Sequence, residues 1–333
     1  MTIDIKTLKV EPRRQTYANI ARRFGTDKPA SRYEEATLDL QATANFHYKP
    51  LWGADHWHFD ERRTAVVMKD WYALRDPRQY YYATYNIARA NQYQATERNF
   101  DFVEKRGMLA VMEPAWRETV EFYLLPLRHM EWGANMNAAD MCDKGYGTAV
   151  TAPCMFSAGD HLAIAQIIGR IGLALDGNSG ASLDVAKERW MTAPEWQELR
   201  RLTEDTLVVK DWFEQFVAQN LAIDGIHHPL VYGRFDAEGQ RLGGAGVSML
   251  TEFMSEWSAE HAKWADAVIK GAAAESPENK ALISGWFATW SRRAADAFKP
   301  LAVRVLGEQP GAAAVEEALG NLAARARKLG LDA

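Results

Sequence analysis

The eight histidines of this 333-residue chain are its most versatile groups, able to hold a metal or move a proton near neutral pH. On a long helix their richest use is the Glu-x-x-His pair. Residues at i and i+3 share a face, so one turn offers a carboxylate and a neutral imidazole to the same metal. Two such pairs, with one glutamate from each of two further helices, make a carboxylate-bridged di-iron site. "LLPLRHMEW", residues 124–132, shows how this sequence departs from that pattern, because His129 is preceded at that spacing by Pro126. The same position holds Ala44 before His47, Gly53 before His56, Asp55 before His58, Ala158 before His161, Asp224 before His227, Gly225 before His228 and Ser258 before His261. No Glu-x-x-His pair exists in the sequence.

The remaining combinations are weaker. Asp55 with His58 lies in an aromatic-rich segment and Asp224 with His227 at an expected helix end, places where such pairs supply surface or capping polarity. His129 and His261 fall on apolar faces and read as hydrogen-bonded core histidines. Glu260 and His261 are neighbours on a helix, so their side chains diverge and do not converge on one substrate atom. No G-x-S-x-G elbow occurs, and "LGGAG" has no strand before it and reads as a helix-joining loop. The two cysteines, Cys142 and Cys154, have neither zinc-site spacing nor a disulfide framework, which points to a reducing compartment.

The elements that position these groups read as helices. The 39 basic and 44 acidic residues are mixed along the chain, leaving no basic stripe for nucleic acid and no polybasic membrane signal. No apolar run reaches spanning length and the N-terminus lacks a signal-peptide core, so a cytoplasmic protein is expected. Residues 1–70 read as an extended arm, 71–308 as a helical domain and 309–333 as a C-terminal helix. A long helix is expected from Asp76, Pro77 and Gln79 to a stop at Gly107. Trp116, Val120, Tyr123, Leu127, Met130 and Ala134 form a continuous buried stripe, as do Leu250, Met254, Trp257, His261, Trp264 and Val268. Thr192 and Glu195 offer a cap for a further long helix that ends or kinks at His227, His228 and Pro229. The fold class expected is an all-α bundle of long helices with an extended N-terminal arm.

At "WYALRDPRQYYYATYN" (71–86), "PLRHMEWGANMN" (126–137), "KDWFEQFVAQNLAIDG" (210–225) and "MLTEFMSEW" (249–257), the chain resembles the β subunit of bacterial multicomponent phenol hydroxylases. These are soluble di-iron monooxygenases, related to toluene and methane hydroxylases, and the resemblance covers nearly the whole chain. It implies a ferritin-like fold, an α2β2γ2 hydroxylase with a second β subunit, and a β subunit that is iron-free and non-catalytic. Set against the α-subunit motifs, Pro126 takes the glutamate's place before His129, and Glu260 is followed by Lys263 where the second histidine would stand. Lys263 would then put an ammonium where iron's charge would be. The implied reaction runs elsewhere: a reductase with FAD and a 2Fe-2S cluster takes electrons from NADH, a regulatory protein couples them, and the α subunit's di-iron centre uses O2 to convert phenol to catechol. Trp52, Trp57, Tyr80, Tyr81, Tyr82 and Tyr85 are the candidates for contacts with partner subunits. A toluene-type β subunit, a self-contained helical metalloenzyme and a helical adaptor are the alternatives.

Overall fold

Prolines and short acidic side chains decide where the helices begin. The computed structural model describes residues 16–41, 55–58 and 60–333, and the regular elements among them are all helical. Near the N-terminus lie α1 (Ala18–Phe24) and α2 (Arg32–Thr37), the latter started by a capping box between Ser31 and Glu34. Arg23 ties this part to the rest through Asp39 and Asp70, each at 2.6 Å. Ile20 and Leu38 close a small apolar cluster with Tyr72 and Ala149.

The Tyr-rich helix α3 (Tyr82–Lys105) starts later than the Asp76–Pro77 signal implies. Asp76 is spent on a tight turn, accepting from the Arg78 N–H and side chain, and Gln79 takes a positive φ of 53° that no helix interior allows. The helix begins where the Thr84 hydroxyl accepts from the Tyr81 N–H. Next come α4 (Pro114–Tyr123) and α5 (Leu127–Lys144). The apolar stripe spans both, but the helix breaks between them because Pro126 lacks an N–H and its ring crowds the preceding turn. α6 (Thr148–Leu175) runs back along α5 in the most extensive helix pairing among the described residues.

α7 (Ala181–Thr192) and α8 (Pro194–Thr206) follow, with Thr192 ending one helix instead of capping the next. Asp211 starts a new run by accepting from the N–H groups of Phe213 and Glu214. That run comprises α9 (Trp212–Phe216), a π-helical turn (Val217–Ile223), α10 (Asp224–His228), a second π-helical turn (Pro229–Phe235) and α11 (Asp236–Gln240). The helix therefore passes through Pro229 without ending. A wider turn absorbs the missing N–H and the ring. α12 (Ala245–Leu250), α13 (Glu252–Glu275), α14 (Pro277–Leu306) and α15 (Glu308–Lys328) complete the chain.

The result is an all-α, ferritin-like bundle in which α5, α6, the 212–240 run and α13 surround a common centre. Both sequence stripes are buried along their length, and Trp196, Trp212, Trp257 and Trp264 are fully enclosed. The high tryptophan content thus fills thick layers between helices. α15 packs on α14 and contributes Val315, Leu322 and Ala326 to the same core. Its close approach depends on Gly311, where an added Cβ would lie 2.5 Å from the Ala302 carbonyl oxygen and 2.6 Å from Val303 Cα.

Two glycines of α15 should therefore respond oppositely to one added methyl. Gly311→Ala should lower stability by about 1–3 kcal/mol, since the helices must part. Gly320→Ala, which meets nothing within 4 Å, should raise it by up to about 1 kcal/mol through helix propensity. Urea unfolding of the two variants checks the sign of each.

Candidate functional site

Two polar assemblies occupy the interior. The first is a chain of alternating charge. Asp76 pairs with Arg78 at 2.9 Å, Arg78 reaches Glu260 at 3.5 Å, and Glu260 accepts from Arg89 at 3.0 Å. Arg89 then grips both oxygens of Asp160 through Nε and Nη2 at 2.7 and 2.8 Å. Asp160 accepts two further bonds at 2.8 Å, from the Tyr85 hydroxyl and from the Trp257 indole N–H. Burial works against the Arg89 charge, yet the bonds and charge of Asp160 outweigh it and hold the guanidinium protonated beyond its ordinary range. Each charge here has a partner, as an ion in a dry interior requires.

The second assembly lies at the bundle centre. Glu131 of α5, 1% exposed, shares a 2.7 Å hydrogen bond between Oε2 and His161 Nδ1 of α6. Its other oxygen lies 3.7 Å from His227 Nδ1 of α10. His228 sits beside His227 with ring centroids 4.6 Å apart. Asp224 accepts from Gln219 at 2.9 Å, and His261 of α13 bonds Asn220 at 2.8 Å. The walls are aromatic: Trp257 stacks on His261 at 4.4 Å and meets His161 edge-on at 4.9 Å, and the Tyr232 ring lies 5.3 Å from both His227 and His228.

Electrostatics separates the imidazoles into two kinds. Burial opposes a charged His161, but the Glu131 bond and charge prevail and raise its pKa. Burial drives His227 down to about 4 and His228 and His261 well below the usual range. Asp224 is pushed up to about 6 by burial, with Glu131 adding to the rise. At neutral pH the centre therefore combines one hydrogen-bonded carboxylate–imidazole pair with three neutral imidazoles. Neutral imidazole nitrogens and a carboxylate are metal-ligand chemistry, and one donor atom each from Glu131, His227 and His228 lie within 4.8 Å of one another.

The structure disperses the four positions that the sequence set against a metal motif. Pro126 sits at the N-cap of α5, and His129 lies against Trp190 at 5.8 Å, where burial and the nearby Arg128 and Lys187 hold its pKa down at about 4. Glu260 is committed to Arg89 and Arg78. Lys263 is exposed and places no ammonium at the centre. Asp224 and His227, expected at a helix end, are core residues because the helix continues through Pro229. Asp55 and His58 take separate partners, His56 and Asp143. Of the aromatic candidates, Trp57 is 43% and Tyr82 78% exposed, Tyr80 and Tyr81 are half-buried, and Tyr85 turns inward to Asp160. Trp52 lies outside the described residues. Glu131 went unnoticed in the sequence, although a carboxylate next to Met130 on a buried stripe was a usable signal.

A family model described as Methane/Phenol/Alkene Hydroxylase matches residues 52–276. The chain belongs to that family. Within the methane/phenol/alkene hydroxylases it is 45% identical over 331 residues to the phenol 2-monooxygenase oxygenase component DmpL of Pseudomonas sp. (strain CF600), covering 99% of this chain and 98% of the relative. It is 47% identical to the corresponding MhpL component of Acinetobacter pittii (strain PHEA-2), with the same coverage. A chain of the xenon-pressurized phenol hydroxylase from Pseudomonas sp. OX1 superposes with a TM-score of 0.92 at 44% identity, covering 99% of both chains. The hydroxylase component subunit beta of the toluene-4-monooxygenase system of Ectopseudomonas mendocina is 26% identical over 83% of this chain and 82% of its own length.

Measured against the six-ligand set of a dinuclear hydroxylase site, four carboxylates and two histidines, the centre falls short. His161 and His261 face each other with rings 6.3 Å apart, but one turn before them stand Ala158 and Ser258. Asp160 and Glu260 are held by arginine, leaving Glu131 and Asp224 as the carboxylates at the centre. Of the four carboxylates that a dinuclear site takes, these residues supply two at the centre.

The charge chain sets a ranking that mutagenesis can read. Asp160→Asn leaves the enclosed Arg89 with Glu260 as its one remaining carboxylate and should cost about 3–5 kcal/mol. Glu260→Gln, at a side chain 21% exposed, should cost roughly 1–2 kcal/mol because water shares its role. Equal losses in guanidinium unfolding would contradict this order.

Proposed function

We propose that this chain is the β, or smaller, subunit of a phenol-type hydroxylase: a scaffold that carries no dinuclear iron and supports phenol hydroxylation to catechol by an iron-bearing α subunit. The observation that carries the reading is the pair Ala158 and Ser258, which stand where two bridging glutamates would be needed. In this reading electrons come from NADH through a reductase with FAD and a 2Fe-2S cluster, a regulatory protein couples them, and the subunits assemble as α2β2γ2 in the cytoplasm. Identity of 45% and 47% to phenol 2-monooxygenase components, against 26% to the toluene-4-monooxygenase subunit, favours the phenol-type over the toluene-type assignment. No helix among the described residues is long and apolar enough to cross a membrane. Exposed apolar side chains on α3, α5 and α6, namely Tyr82, Ile87, Trp132, Met136 and Met155, offer surface for the α subunit.

The test is to measure iron and phenol-dependent NADH oxidation for the chain alone and after co-expression with its α and γ partners, with reductase and regulatory protein added. Turnover confined to the assembled complex is expected, with the irons in α; two irons per chain in the isolated protein would overturn the reading. Trp57→Ala combined with Tyr82→Ala should weaken co-purification with α by at least about tenfold, since buried aromatic anchors each contribute about 2 kcal/mol at interfaces. Unchanged retention in a pull-down would remove these residues from the interface.

A further inference from the structure

The centre holds an unusual concentration of enclosed polar atoms without hydrogen-bond partners. Both ring nitrogens of His227, both of His228, Glu131 Oε1, Asp224 Oδ2 and the Tyr232 hydroxyl are all in this state. One such atom costs about 1–3 kcal/mol, so a group of them in one place calls for an occupant that they bind together.

The geometry narrows the choice. Glu131 Oε1 and His227 Nδ1 are 3.7 Å apart, too far for a hydrogen bond. Two ligands each about 2.1 Å from one ion stand about 3.4 Å apart at a tetrahedral angle, so a small inward shift satisfies both. His228 adds a third donor within the same 4.8 Å span. Glu131 is already oriented, because His161 holds its other oxygen at 2.7 Å, the kind of outer contact that fixes a metal-bound carboxylate. Tyr232, packed against both imidazole rings, and Asp224 have free oxygens for a water in the fourth position. Two imidazoles and one carboxylate suit a late first-row divalent ion and not magnesium or calcium, which take oxygen ligands.

We propose that Glu131, His227 and His228 bind a single divalent transition-metal ion, zinc or ferrous iron, which fastens α5 to the 212–240 run. The site differs from a dinuclear oxygenase centre in using one ion, no bridging carboxylate and two adjacent histidines of one helix, whose rings lie 4.6 Å apart instead of diverging as helix neighbours ordinarily do. It goes beyond the scaffold reading and can fail independently of it.

The full-length chain, produced in cells supplemented with zinc or with iron and purified without chelator, should carry about one ion per chain by elemental analysis. The two supplements distinguish the metals. Refolding with Co2+ should give the visible ligand-field bands of a low-coordinate site, and X-ray absorption at the metal edge should show two imidazoles and no sulfur. His228→Ala and Glu131→Gln should each weaken Co2+ binding by at least about tenfold, while His129→Gln, outside the cluster, should leave it unchanged. The absorption measurement on the wild type keeps the test decisive if a variant does not fold. Absence of metal after both supplements, sulfur from Cys142 or Cys154 among the ligands, or full retention in both ligand variants would each overturn the proposal. Two irons in the isolated wild type would overturn both it and the scaffold reading.

Discussion

The bond between Arg89 and Asp160 is the constraint around which the interior is arranged. A carboxylate in the middle of a helical bundle is tolerated when every lone pair is used, and Asp160 accepts from a guanidinium, a phenol and an indole at once. Those donors belong to α3 and α13, while the acceptor belongs to α6, so one residue sets the spacing of three helices. Its bond to Trp257 also holds the indole between His161, His228 and His261. The histidine centre is therefore walled by a ring that the charge chain positions.

The sequence patterns that could be read were those with a period. The stripes Trp116 to Ala134 and Leu250 to Val268 repeat at helical spacing, and each member is buried. Helix limits were less legible where two signals competed. Asp76 and Pro77 have the form of a cap, but the side chain of Arg78 takes the aspartate and the helix starts at Tyr82. Pro126 interrupts a stripe that its apolar neighbours continue, and Pro229 interrupts nothing because two wide turns accommodate it. Periodicity has no term for a π-helical turn.

The centre itself was hidden for a different reason. Metal motifs are recognised by local spacing, yet Glu131, His161 and His227 come from three helices and meet through tertiary packing. The sequence contains no Glu-x-x-His pair, and the positions first set against that motif, Pro126 with His129 and Glu260 with Lys263, lie away from the centre. The structure instead brings together His161 and His261, each with a small residue one turn before it. With Asp160 and Glu260 paired to arginine, the ferritin-like core keeps Glu131 and Asp224 beside its histidines.

Gly225 sets how tightly the centre is sealed from behind. Leu322 of α15 packs so closely on this glycine that a Cβ there would lie 2.6 Å from the leucine Cδ1, just beside His227 and His228. The residue that covers the back of the histidine run thus comes from α15, nearly a hundred positions away in sequence. Any side chain at position 225 would have to push that leucine aside, so the seal behind the two imidazoles is set by the absence of a single methyl group.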